Sequence, residues 1–271
     1  MAAPVEILPP LLPLGATSHP AFDPLREWLG RLSGYPSLED LNALAESSVS
    51  PPITAAGHAV RFCPPASTSA KEYEQRVFDS GQVETRADNL HDLFNALAWL
   101  AFPRTKAAIN ARHVARLPAD GNVRGPLRDL LTLVDEGGAI VACTKDCLAE
   151  FERLVREFRW RELFWERRAQ LLAGLRFVLV GHSAYEKALS PYPGITCKAL
   201  FLPVDPKLLE SPHLVEVLDA AAAAWILELP ADAAPRRMPP LPVFGYPGWL
   251  PDSDRPDFYA DRRWFRPARK A

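Results

Sequence analysis

The sequence predicts an α+β fold: a mostly helical single domain with a small antiparallel sheet and a long irregular Pro/aromatic-rich C-terminal tail. Three observations carry this. Apolar residues recur at helical spacing in most segments, while β-type alternation is confined to short runs. Prolines and aromatics crowd the stretch after residue 230. The chain has 271 residues, 48% of them hydrophobic and 24% charged, which suffices for a sizeable core and argues against disorder.

In chain order, residues 1–20 read as an extended, Pro-rich strap. Asp23-Pro24 is a helix start, N-cap followed by Pro at the first position, with Leu25, Trp28, Leu29 and Leu32 inward. Ser37 opens a second short helix with Leu38, Leu41, Leu44 and Ala45 on one face, ended by Pro51-Pro52. Residues 58–62 alternate as a strand. Residues 71–80 form a helix with Tyr73 and Val77 inward and Gly81 as its stop. Residues 86–113 form a helix–kink–helix unit. Asp88 is its N-cap, Leu90, Leu93, Phe94, Leu97 and Leu100 face inward, and the break falls at Pro103, whose ring disfavours helical geometry at Phe102.

Residues 118–126 are a loop. The apolar runs 128–134 and 139–143 flank Asp135-Glu136-Gly137-Gly138 and read as a hairpin. A long helix spans about 148–171. Residues 175–188 are read as helix, with 177–180 also compatible with a strand. A strand follows at 197–204, then an Ala-rich helix at 208–227. The sheet is expected from the hairpin and the strands near 58–62 and 197–203. Residues 1–50 are expected as an N-terminal strap and helical segment packed on a body of 51–271, around which the tail, 230–271, wraps.

The formal net charge of −2 is too small for a general polyanion binder. Residues 236–271 hold eight Arg/Lys and four Asp, so a basic tail follows an acidic body. Arg interleaved with Phe258, Tyr259, Trp264 and Phe265 is material for single-stranded nucleic acid. It is equally material for docking the tail on its own domain, and the interspersed Asp residues weaken the first use; nucleic acid is neither supported nor excluded. Cys143 and Cys147 stand as C-x3-C without a second Cys/His pair at zinc-site distance, so free thiols in a reducing cytosol are the plain reading. The N-terminal apolar run lacks a preceding Lys or Arg and is broken by prolines, which argues against a secretory signal. No stretch reaches 18 apolar residues, so no membrane span is expected and a cytoplasmic location is.

The residues 86–113 are the candidate site. His91 and Asn95 lie four apart on the first helix, with Asp92 beside them. Lys106, Asn110 and His113 lie at i, i+4 and i+7 on the second and share a face. Imidazole and carboxylate are the usual metal ligands and acid/base groups at neutral pH. His91-Asp92 alone is not an HD phosphohydrolase, which needs an earlier His on a helix; His58 sits in a strand pattern. A His–Asn–His nuclease needs a hairpin feeding a helix. Gly181-His182-Ser183-Ala184-Tyr185 fails as a nucleophile elbow because Tyr185 stands where a small residue is required. On a helix, His182 and Glu186 are four apart and pair with each other or face the central cluster. No phosphate-binding glycine loop is present.

Residues 91–113, 128–141, 181–192, 240–249 and 258–269, taken in order, resemble the bacterial family of unknown function DUF3025. The resemblance covers roughly 55–270. It implies a mostly single-domain protein and no established activity, cofactor or catalytic residue. It lowers the serine-hydrolase reading further, since the family has G-H-A where this chain has Gly181-His182-Ser183.

Two functional classes follow. One is a metal-dependent or acid/base hydrolase with His91, Asp92, His113, His182 and Glu186 as catalytic groups, and Asn95, Arg104, Lys106 and Asn110 contacting an anionic substrate. The other is a non-catalytic binding or scaffold protein whose polar cluster is structural, buried His, Asn and Arg being tied by satisfied hydrogen bonds. The residues name no metal, cofactor or partner.

Overall fold

The computed structural model describes residues 18–120 and 123–268. Most of the strap expected over 1–20 therefore lies outside the described residues. The fold is mixed α+β, mostly helical, in one domain.

His19 caps a 3-10 turn at Pro20–Leu25, which runs into α1, Arg26–Leu29. The expected N-cap at Asp23 falls inside this turn. Phe22 is fully buried against Phe94 and Tyr185. Helix α2, Leu38–Glu46, starts with a reciprocal capping box between Ser37 and Asp40. Strand β1, Arg61–Cys63, crosses over through α3, Ala70–Ser80, to β2, Gln82–Glu84, and the two strands pair in parallel. Gly81 ends α3 at φ 72°, and a Cβ there would stand 2.1 Å from the Ala59 carbonyl oxygen.

Helix α4, Leu90–Ala101, is capped by Asn89 rather than Asp88, which instead takes φ 53° just before it. Helix α5, Pro103–Asp120, begins at Pro103 as expected but runs through Pro118 into the expected loop. Then come α6, Pro126–Gly137; β3, Gly138–Thr144; α7, Lys145–Arg156; α8, Arg168–Gly174; β4, Leu175–Leu179; α9, His182–Ala188; β5, Cys197–Val204; α10, Leu214–Leu227; and β6, Pro240–Leu241.

The main sheet has the order β4-β3-β5-β6. It is mixed rather than antiparallel: β3 pairs antiparallel with β4 and parallel with β5, and β5 pairs antiparallel with β6. Strand β1 belongs to the separate parallel pair. The expected hairpin does not form, because 128–134 is helix. Leu127, Leu130, Leu131 and Val134 are buried at helical spacing, and Gly125-Pro126 starts the helix. A helix feeds the central strand directly. That strand is buried along its whole length, since helices cover both faces of the sheet. Ala139, Val141 and Cys143 join one core, with α1, α2, α4 and the tail. Ile140 and Ala142 join the other, with α5, α6 and α10.

Residues 175–188 resolve into strand β4 and helix α9, hinged at Gly181, where a Cβ would meet the Glu136 backbone at 2.4 Å. The long helix expected at 148–171 is broken by Phe158 at φ 58° and a π turn at Glu162–Glu166. The break turns Trp160 and Phe164 inward under the tail. Trp160 donates to the Arg266 carbonyl at 2.7 Å, and Phe164 stacks on Tyr259. The tail packs on the body, burying Phe244, Tyr246, Trp249, Phe258, Tyr259 and Phe265. Its charges pair largely within itself or with the body, as in Arg255–Asp257, Arg263–Asp261 and Arg168–Asp254.

Candidate functional site

Five helices meet: α9 packs on α4 and α6, and α5 packs on α3, α4 and α6. On α5, Lys106 and His113 are seven residues apart. On α6, Arg128 and Asp135 are seven apart. The helices run in opposite directions, so Lys106 pairs with Asp135 and His113 with Arg128. The Lys106 ammonium, 5% exposed, also donates to Asn95 Oδ1 at 2.8 Å and lies 5.6 Å from the centre of the Trp99 ring. Asn95 bonds in turn to Tyr73 of α3, whose hydroxyl pKa is raised by burial.

From Asp135 the chain of contacts runs outward. His182 Nδ1 lies 3.7 Å from Asp135 Oδ2, His182 Nε2 lies 3.1 Å from His91 Nε2, and His91 Nδ1 lies 3.2 Å from Glu186 Oε2. His182 is buried, whereas the His91 and Glu186 side chains are 40% and 42% exposed. The series Glu186–His91–His182–Asp135–Lys106 therefore joins solvent to a buried ion pair.

Counting protons narrows the tautomers. Three N···O or N···N contacts each need one N–H, and two neutral imidazoles supply two. The longest contact is at Asp135, and His182 Nδ1 is an enclosed atom lacking a hydrogen-bond partner. In the tautomer that serves the two shorter contacts, His91 Nδ1–H donates to Glu186, His182 Nε2–H donates to His91 and His182 Nδ1 carries no proton; in the other, His182 Nδ1–H points at Asp135. Burial pushes the His182 pKa down to about 4 against the pull of Asp135, which keeps the ring neutral at pH 7. Burial alone would raise Asp135, but Lys106, His182 and His113 hold its carboxylate below the usual range.

Next to this series lies a second group. Asn110 donates to the Glu74 carbonyl at 2.9 Å and to its carboxylate at 2.8 Å. Burial pushes Glu74 up to about 7 despite that bond. His113 is pushed down to about 4, chiefly by burial, with Asp135 opposing and Arg128 reinforcing.

Of the nine candidates, His91, His182, Glu186, Asn95 and Lys106 converge in one network, and Asn110 and His113 adjoin it. Two stand apart. Asp92 accepts three hydrogen bonds from Arg86, at 2.8, 2.8 and 2.9 Å, and clamps the start of α4; burial would raise its pKa, but these bonds lower it. Arg104 lies about 200° around α5 from Lys106 and lines surface clefts beside α10. Asp135, Arg128, Glu74 and Tyr73 were missed. Reading 127–137 as a helix would have exposed the i, i+7 spacing of Arg128 and Asp135, the same interval as Lys106 and His113. Among the described residues, no three His, Cys, Asp or Glu side chains are placed to hold a metal ion, and no helix is long and apolar enough to cross a membrane.

Fold and network thus define a mixed α+β domain with a polar network packed between its helices. Residues 60–269 match the protein family of unknown function DUF3025, and the chain belongs to that family. No curated protein and no solved structure matches it.

Proposed function

We propose that this DUF3025 protein is an acid–base hydrolase whose general base is His182. The observation that carries the reading is the enclosed Nδ1 of His182, without a side-chain hydrogen-bond partner and set between a carboxylate tied to Lys106 and a partner ring that reaches solvent. Asn95, Asp135 and Tyr73 keep partial exposure beside this ring, and the reading places the substrate and its attacking water against them. His182 would take the water's proton on Nδ1 and release its Nε2 proton to His91. His91 would release its Nδ1 proton to Glu186 and so to solvent. Each ring gains one proton and loses one, so the relay ends as the opposite tautomer and resets through water. Such proton transfer contributes roughly 10²–10⁴ in rate. Acid–base chemistry is favoured over a metal-dependent variant because Lys106 takes the position beside Asp135 that a cation would need.

A structural reading has its own support. Lys106, Asn95 and Asp135 tie α4, α5 and α6 together and satisfy one another almost completely. The two are separated by His182→Gln and His91→Ala, assayed on chromogenic esters, amides and phosphoesters. The acid–base reading expects turnover by the wild type, a loss of about 100-fold or more in His182→Gln, and a His91→Ala defect that added imidazole restores. Full turnover by His182→Gln sinks it. So does ¹⁵N NMR showing His182 Nδ1 protonated at pH 7, whether or not a substrate has been found.

A further inference from the structure

Arg128 is 4% exposed, and its one hydrogen bond, at 3.4 Å, runs from Nε to His113 Nδ1. Among the described residues no carboxylate lies within ion-pair distance of it, unlike Lys106, and Glu74 acts on it only from further away. Burying a guanidinium costs several kcal/mol unless a partner compensates, so a cation left this way is unusual. His113 does not compensate it, because the ring is neutral and spends a lone pair on the contact. The enclosed, unpartnered polar atoms of this region are Asn110 Oδ1 and His182 Nδ1. Among the described residues no hydrogen bond reaches the Arg128 Nη atoms, and the residue keeps a small exposure.

We infer that the free fork of Arg128 binds an oxyanion, the carboxylate or phosphate end of the substrate. Arg presents paired N–H donors that match such groups two at a time. Seven residues of helix separate Arg128 from Asp135, a rise of about 10 Å. The anchor thus sits one small-molecule length from His182, on the same face of α6. Lys106 cannot take this role, since Asp135 and Asn95 already occupy its ammonium, and Arg104 faces elsewhere. Glu74, the nearest carboxyl on α3, is held by Asn110, and its raised pKa leaves it partly protonated near neutral pH, when it donates to an anion rather than repelling it. As a substrate anchor Arg128 rests on the acid–base reading; as an anion site it stands independently.

Thermal unfolding of the full chain tests this, with sodium phosphate and sodium acetate titrated against sodium chloride of equal ionic strength. Bound at a hundred times its Kd, either anion should raise the wild-type midpoint by about 5 °C beyond chloride, and comparing the two tells phosphate from carboxylate. Arg128→Met, which removes an uncompensated charge at similar volume, should melt no lower than the wild type in chloride and show no anion-specific rise. Arg128→Lys, which keeps the charge and loses the fork, should show a smaller one. An equal rise in Arg128→Met or Arg128→Lys overturns the inference, as does a wild type that responds to neither anion beyond chloride. His182→Gln separates the two proposals. It should keep the anion-dependent rise, and if that rise persists while its turnover is undiminished, the relay fails and the anion site stands.

Discussion

Asp219 shows how much a single buried residue organises here. It belongs to α10, yet its carboxylate accepts from the backbone N–H groups of Arg104 at 3.0 Å and Thr105 at 2.8 Å, the open end of α5. Thr105 Oγ1 donates back to the Asp219 carbonyl at 3.1 Å. Pro103 removes one donor from that helix end, and Asp219 takes two more, so α5 starts where Lys106, Asn110 and His113 can face α3 and α6. Asp219→Ala strands two buried donors and should cost about 2–4 kcal/mol, read from urea unfolding. A loss below about 0.5 kcal/mol would show that the α5 start needs no such cap. The same residue-scale economy applies in the histidine network, where two rings have three contacts to serve.

Among the elements, the tail and α6 departed furthest from ordinary expectations of loop and strand. The tail has little regular structure, yet it supplies strand β6 and rings that close one of the two cores. At Gly245 it passes so close to Phe164 that a Cβ would stand 2.5 Å from the ring. Deleting one buried aromatic typically costs about 3–5 kcal/mol, against a total stability of about 5–15 kcal/mol. A chain truncated after residue 239 loses six such rings and should not fold: near-ultraviolet circular dichroism should be featureless and unfolding non-cooperative. A cooperative transition at the full-length midpoint would make the tail an accessory. Helix α6 was misread because a run of branched and aliphatic residues beside Asp-Glu-Gly-Gly satisfies hairpin chemistry locally. What decides is that β3 finds β4 and β5 as neighbours, leaving 126–137 free to be amphipathic helix over the sheet.

Across the whole molecule the buried titratable groups make stability depend on pH in a particular way. His113 and His182 titrate near 4 when folded, and near 6.5 when unfolded. Glu74 titrates near 7 when folded against about 4.5 unfolded. Between about pH 4.5 and 6.5 the unfolded chain therefore carries two extra protons on the histidines, while the native state carries one extra on Glu74. Unfolding takes up about one proton net, so stability rises with pH by about 1.4 kcal/mol per unit in that window. Above 6.5 the histidines are neutral in both states, Glu74 alone remains, and the trend reverses slightly. Glu74→Gln should roughly double the slope between 4.5 and 6.5 and abolish the reversal, as measured by urea unfolding at half-unit pH steps. A flat profile would mean that the cluster is hydrated and its groups titrate as in free peptides.

Much was legible in the sequence because local physics wrote it there. The 3.6-residue period marked α2, α3, α4 and α5; Ser37, Gly81 and Pro103 marked ends; and the i+4 and i+7 spacings put His91 with Asn95, His182 with Glu186, and Lys106 with Asn110 and His113 on shared faces. The family resemblance was carried by α4, α5 and α9 together with the α6–β3 stretch and the tail. Which faces meet is another matter. That Asp92 turns to Arg86 while His91 turns to His182, that Asp135 receives Lys106, and that Arg128 is left without a carboxylate follow from how four helices pack on a mixed sheet. Periodicity fixes the angle of a side chain about its own axis and says nothing about the partner across the gap. Only burial between helices distant in the chain brings these groups together, and only that burial gives them their altered proton affinities.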